Sequence, residues 1–189
     1  MSENPESSKK HLTYTGRPKR EEYAMMEKDL DRFFKECPVD TTGRMATISA
    51  YLRHHFPRNF FCGFYTVVKG KDQLQIGPYN GNGPVLAAGL IDFGKGVCGT
   101  SAATRETQIV PDVRLCNNYI ACDEDSLSEI VLPVFGRNRH DELDVSSSTS
   151  SDEKDTKTLI AVLDLDADIT SAYDEVDKEC LERLLARFF

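Results

Sequence analysis

The chemistry-bearing residues of this chain are thiols and carboxyl groups set close together. In "NNYIACDEDSLSEIVLPV", residues 117–134, Cys122 is followed by Asp123, Glu124, Asp125 and Glu129. Nearby negative charge disfavours a thiolate and makes a cysteine less reactive. A thiol placed here is therefore either an inert, buried side chain or one partner in a reaction that also uses the acids. Free cysteine is among the most buried residue types, and an acidic run often does no more than solvate a turn or cap a helix. The local sequence leaves both readings open.

Two further stretches combine similar groups. In "FGKGVCGT", residues 93–100, Cys98 follows a G-x-G element. Such an element before a helix can cradle phosphate. It does not match a P-loop, however, and it lacks the third glycine and the βαβ context of a dinucleotide site. Cys98 then reads either as a small buried hydrophobe or as a thiolate favoured by a helix N-terminus. In "VLDLDADIT", Asp164 and Asp166 stand two apart in a strand and so share a face. Leu163 and Leu165 point the other way, to the core. Two adjacent carboxylates repel, which raises the pKa of one of them; the alternative is an exposed pair at a strand end. No EF-hand spacing follows. His54 and His55 end a helix before Phe56 and Pro57, where surface positions complementing the helix dipole are expected.

These residues need elements to position them. "KREEYAMMEKDLDRFFKE" has helical periodicity, with Tyr23, Met26, Leu30, Phe33 and Phe34 on one face. "DTTGRMATISAYLRHHF" reads as a second helix ending before Pro57. "NFFCGFYTVV" and "QLQIGPY" read as a strand pair across a turn. "VLAAGLIDF" is a strand or strand-edge segment, and "GKGVCGTSAATRE" a glycine turn followed by a short helix. "TQIVPDV" is a short strand stopped by Pro111, while "SEIVLPVF" and "TLIAVLDLDA" are strong strands. "DEVDKECLERLLARFF" closes the chain as an amphipathic helix, with Val176, Cys180, Leu181, Leu184 and Leu185 on its stripe. This order predicts an α+β fold, an antiparallel sheet with helices packed mainly on one face. Residues 1–18 read as a flexible arm and residues 19–189 as one domain. A Ser/Asp-rich insert at 136–157 is expected to be disordered, since it lacks apolar periodicity. Length adds little to the closure cost of a hairpin loop, so the flanking strands can still pair.

Composition narrows the function classes. The 189 residues carry a net charge of -8, which argues against non-specific nucleic-acid binding and against a basic membrane patch. No apolar run approaches the roughly 20 residues of a membrane helix, and no secretory h-region opens the chain. The expectation is a reducing, cytoplasmic setting. The six cysteines form no C-x-x-C pair and no zinc-finger spacing, so no metal site is expected. Cys37, Cys62 and Cys180 lie on apolar faces and read as core.

The motifs "FCGFY", "IGPY", "FGKGVCGT", "ETQIVPDV", "IACDEDSLSEIVLPV" and "VLDLDA" occur in this order. Together they closely resemble the free methionine-(R)-sulfoxide reductases, an enzyme branch of the GAF fold, over about residues 20–189 without the insert. The resemblance implies a single GAF domain with a six-stranded antiparallel sheet. It implies reduction of free methionine-(R)-sulfoxide by cysteine chemistry, with no metal or organic cofactor and with electrons from a thioredoxin-like dithiol protein. Family members are often homodimers. Carried over by motif, Cys122 matches the attacking cysteine and Cys98 another redox cysteine. Glu129, Asp164 and Asp166 match the acids near the sulfoxide oxygen and the substrate ammonium, and Tyr65 matches a pocket aromatic. Phe61 stands where the family commonly has tryptophan, and Tyr119 where it has histidine. Ala88 occupies the position of the third family cysteine, often the resolving thiol. Cys98 is the first choice to resolve, and the alternatives are Cys116, an extra cysteine, or direct attack by the reductant protein. The competing readings are a non-enzymatic GAF module that binds a small ligand, and a redox sensor using Cys98 and Cys122.

Overall fold

A computed structural model describes residues 13–81, 89–116, 125–136 and 157–189. Two helices open it, α1 (Lys19–Glu36) and α2 (Thr41–His55), and a third, α4 (Glu175–Phe188), closes it. Between them run β1 (Asn59–Val67), β2 (Gln73–Gly81), β3 (Leu90–Asp92), the short helix α3 (Gly96–Thr104), β4 (Gln108–Val110), β5 (Ser128–Gly136) and β6 (Thr158–Ala167). The starts of α2 and α4 follow from side chains that satisfy the free amides of the first turn. Asp40 accepts from the Gly43 amide at 2.8 Å. Asp174 and Asp177 form a reciprocal capping box at the start of α4.

The six strands make one antiparallel sheet in the order β3-β2-β1-β6-β5-β4. Its two strong central strands, β1 and β6, are buried along most of their length. Strand alternation sends Cys62, Phe64, Ile130, Leu132, Leu163 and Leu165 to one face, where they pack with Tyr23, Met26 and Leu30 of α1, Ile48 and Leu52 of α2, and Leu181 and Leu184 of α4. Phe61, Tyr65, Val131 and Val162 belong to a second, smaller cluster with Val97, Cys98 and Ala102 of α3. Among the described residues, three helices thus cover one face and only α3 lies among the residues of the other.

The prolines sit where a sheet tolerates a missing N–H. β4 stops opposite Val131, so among the described residues β5 has no strand partner on that side at Pro133. Pro78 falls at a register shift between β1 and β2. At the far end of the central hairpin Gly136 pairs with Thr158. Residues 137–156, the bulk of the insert, lie outside the described residues, as do residues 1–12 of the arm.

Of the segment expected as a strand or strand edge over 85–93, Leu90–Asp92 forms β3, and residues 82–88 lie outside the described ones. Two expectations are corrected. Cys37 is exposed at the end of α1, because the chain turns away there before Pro38. His55 is buried rather than a surface residue: its Nδ1 lies 2.6 Å from Oε1 of Glu22, which is itself fully buried. An internal carboxylate takes the place of solvent for that ring.

Candidate active site

The acids predicted from the motifs converge on the α3 side of the sheet. In register, Glu129 of β5 stands opposite Asp166 of β6, and Asp166 stands opposite Phe61 of β1. Asp164 lies two residues along, between Val131 and Gly63. Period-two alternation therefore puts Phe61, Gly63, Tyr65, Glu129, Asp164 and Asp166 on one face. All three acids are buried, with Asp164 completely inaccessible. The exposed-pair reading of Asp164 and Asp166 is thereby excluded.

Helix α3 delivers the thiol. Its approach depends on the glycines of "FGKGVCGT". Gly94 and Gly96 adopt φ of 83° and 62°, the left-handed region that favours glycine. Gly99 allows the helix to lie against the preceding turn, since a Cβ there would meet the Asp92 carbonyl oxygen at 2.4 Å. The motif is a packing device that places Cys98 in the first turn of α3, buried beside the acids. One sulfur or oxygen atom from each of Cys98, Glu129 and Asp164 lies within 4.8 Å of the other two.

Burial governs the electrostatics. It raises the pKa of Glu129 well above the ordinary carboxylate range, and the charges of Asp164 and Asp166 push it further. Asp164 is raised in the same way, by burial first and then by Asp166; its closeness to Cys98 and Glu129 opposes this only in part. Oε2 of Glu129 and both side-chain oxygens of Asp164 have no hydrogen-bond partner among the described residues. Buried polar atoms are nearly always paired, which makes these oxygens candidate contacts for a bound group. Asp166 differs: its Oδ1 accepts a 2.5 Å hydrogen bond from the Ser126 hydroxyl.

An aromatic wall adjoins the acids. The Phe61 ring stacks on Tyr79 with centroids 5.7 Å apart and lies 6.4 Å from the Tyr65 ring. Gly63 makes room for it, because a Cβ on Gly63 would meet Phe61 Cζ and Tyr79 Cβ, each at 2.6 Å. Cys116, at the end of a single 3-10 turn (Val113–Leu115), is partly buried against the same cluster. Cys122 and Ala88 lie outside the described residues. A groove of about 770 Å³, lined by Arg105, Lys157, Lys178 and Glu182 among others, contains none of the candidate site residues.

Ser126, Gly63 and Tyr79 take part in this arrangement without having been singled out in the sequence. All three stand within or beside the quoted motifs, but a serine in an acidic run or a glycine in a strand does not announce which neighbour it serves.

The free methionine-R-sulfoxide reductase of Saccharomyces cerevisiae is 42% identical over 125 residues, 66% of this chain and 58% of that protein. The match therefore spans less than two thirds of the yeast protein's length. The free methionine-R-sulfoxide reductase of Escherichia coli is 32% identical over 162 residues, 84% of each chain. The chain belongs to the free methionine-R-sulfoxide reductase family. No protein-family model matches it. Among solved structures, the family member from Neisseria meningitidis, in complex with its substrate, superposes with a TM-score of 0.72 at 30% identity, covering 90% of this chain and 87% of that one. A GAF-domain structure superposes with a TM-score of 0.74 at 30% identity, covering 93% and 90%. The fold of this family member is thus the GAF fold. Its acids and Cys98 lie in the strands and short helix that carry the motifs by which the sequence resembles the family.

Proposed function

We propose that this chain reduces free L-methionine-(R)-sulfoxide to L-methionine by thiol chemistry. The observation that carries the reading is the cluster of Glu129 and Asp164, buried with unpartnered oxygens beside Cys98, in a member of this family. A sulfoxide oxygen must be protonated before it can leave its sulfur, and buried carboxyls with raised pKa hold a proton near neutral pH. Glu129 and Asp164 share their protons as one coupled set. Whichever oxygen is ionised holds the substrate ammonium. The acids discourage a free thiolate in the resting protein, yet they stabilise the charge that develops on oxygen during attack.

The Cys122 thiol attacks the sulfoxide sulfur. The S–S bond so formed and the substrate S–O bond then break as the protonated oxygen passes to the Cys122 sulfur, so methionine leaves as the thioether and Cys122 becomes a sulfenic acid. A second thiol condenses with it, releasing water and forming a disulfide. Cys98 is the first choice for that thiol, supported by its position beside the acids; Cys116 is the alternative, supported by its contact with the same cluster. Exchange with a thioredoxin-like dithiol then restores both thiols. The dithiol partner and a homodimeric state come to this chain from the family resemblance alone, and a cytoplasmic setting from the sequence reading. No helix among the described residues is long and apolar enough to cross a membrane.

Phe61 and Tyr65 form the apolar wall for the methionine side chain. A peptide-linked sulfoxide lacks the free ammonium that buried carboxyls require, so selectivity for the free amino acid follows from burial. The test is methionine release from free methionine-R-sulfoxide with dithiothreitol, with the S epimer and a peptide-bound sulfoxide as controls. R-specific release, abolished by Cys122→Ser, is the expected result. No release by the wild type overturns the proposal.

A further inference from the structure

We propose that Cys98, Glu129 and Asp164 also form a site for one thiophilic divalent cation, Zn2+ above all, which competes with substrate. Two observations carry this. First, one potential ligand atom from each residue lies within 4.8 Å of the others, on three buried side chains from three different elements. Second, Glu129 is 5% exposed and Asp164 0%, yet Oε2 of the former and both oxygens of the latter lack a hydrogen-bond partner among the described residues. One carboxylate oxygen of each acid lies within 4.8 Å of the sulfur.

The donor set selects the ion. Mg2+ and Ca2+ require six or more oxygens, far more than converge here. A thiolate with two carboxylates suits Zn2+ or Cd2+, and three protein ligands leave a fourth position for water. At zinc bonds of about 2.0–2.3 Å, tetrahedral ligands stand about 3.3–3.5 Å apart, so the cluster needs to contract by at most about 1.5 Å. The substrate ammonium offers one positive charge and makes no bond to sulfur. A divalent ion offsets more of the buried negative charge and takes the thiolate as well.

Proton and cation are alternative occupants of the same atoms. Binding the ion releases protons from the thiol and carboxyl groups. The metal-loaded form has no proton on its ligand atoms for a sulfoxide oxygen, and the cation takes the place and offsets the charge that an ammonium needs. Reduction belongs to the metal-free form, and Zn2+ acts as a reversible inhibitor removed by a chelator.

Cadmium is the direct probe, since a Cd2+–thiolate bond absorbs in the ultraviolet and needs no turnover to be seen. Reduced, chelator-stripped protein titrated with CdCl2 is expected to saturate at about one equivalent. Cys98→Ser should abolish this absorption. Glu129→Gln and Asp164→Asn should each weaken binding by about tenfold or more, and Cys37→Ser should leave it unchanged. Glu129→Gln is nearly isosteric, so a poorly folded Cys98→Ser variant does not leave the question open. Undiminished affinity in both carboxyl variants, or undiminished absorption in Cys98→Ser, overturns the site. Zn2+ is expected to raise KM for the sulfoxide without lowering kcat; a fall in kcat alone overturns the competition. A protein that binds Cd2+ in this way yet releases no methionine keeps the metal site and loses the reductase reading, so the two stand or fall separately.

Discussion

Glu129 and Asp166 face each other directly across β5 and β6, two carboxyl groups at one register position of a buried sheet face. Like charges directly opposite each other destabilise a strand pair. The fold accommodates them in two ways. Asp166 is tied to the Ser126 hydroxyl, and Glu129 is pushed toward its protonated form, chiefly by burial. This pairing is the physical basis of the proton-holding site and of the first two expectations.

Replacing Glu129 by Gln or Asp164 by Asn removes a proton donor while keeping shape. Each variant is expected to lose about 100- to 10,000-fold in kcat/KM for free methionine-R-sulfoxide, the usual worth of a positioned acid. Steady-state kinetics of the refolded, spectroscopically native variants check this.

The same substitutions should change the pH dependence of stability. Below the ordinary carboxylate pKa both groups are protonated whether folded or unfolded, and burial then carries no ionic penalty. As pH rises past that value the unfolded chain loses protons that the folded one keeps, because the folded pKa values are raised. Stability therefore falls with rising pH, by at most about 1.4 kcal/mol per pH unit for each group, until the folded pKa is reached. Urea unfolding near pH 5 and near pH 8 should show a smaller loss in Glu129→Gln than in the wild type.

Ser126→Ala takes away the 2.5 Å hydrogen bond to Asp166 Oδ1. Removing one partner of a buried polar pair costs about 1–3 kcal/mol. Calorimetry should show that loss, and the variant should bind substrate more weakly because Asp166 is no longer held. An unchanged melting temperature and KM would contradict the assignment of Ser126 as a positioning residue.

Gly63→Ala tests the aromatic wall. The added methyl meets Phe61 and Tyr79 at 2.6 Å, so the Phe61 ring has to move. Overpacking of this kind costs roughly 1–3 kcal/mol, and KM should rise as the wall shifts. Gly70→Ala, where nothing lies within 4 Å of the added atom, is not a neutral control because φ there is 75°. Gly89→Ala, open and without a positive φ, is the better one.

Thiol labelling should follow exposure and not sequence pattern. Cys37 is exposed and should alkylate first in the native protein. Cys62 is buried in the core, its thiol pKa strongly raised by burial, and should resist until unfolding. Timed alkylation read by mass spectrometry would expose an error if Cys62 reacted as fast as Cys37.

The local sequence by itself determined most of the elements, because their signals are short-range. Period 3.6 places Tyr23, Met26 and Leu30 on one stripe of α1. Period two puts Asp164 and Asp166 opposite Leu163 and Leu165, and the glycines around Lys95 permit the turn before α3. The motif resemblance named the acids and Cys98 as one group. Register and packing decided the rest. Nothing local says that Glu129 faces Asp166, since antiparallel register depends on strands about 35 residues apart in the chain. Nothing local says that Asp164 is wholly buried, or that α3 brings the Cys98 sulfur to its carboxylate, because burial is a property of what covers a residue. For the same reason His55 looked like a helix-end surface residue until Glu22, 33 positions earlier, was found against its ring. The proton-holding character of the site belongs to the tertiary structure: a carboxyl's pKa is set by the water and charges around it, and only the folded sheet removes the one and assembles the other.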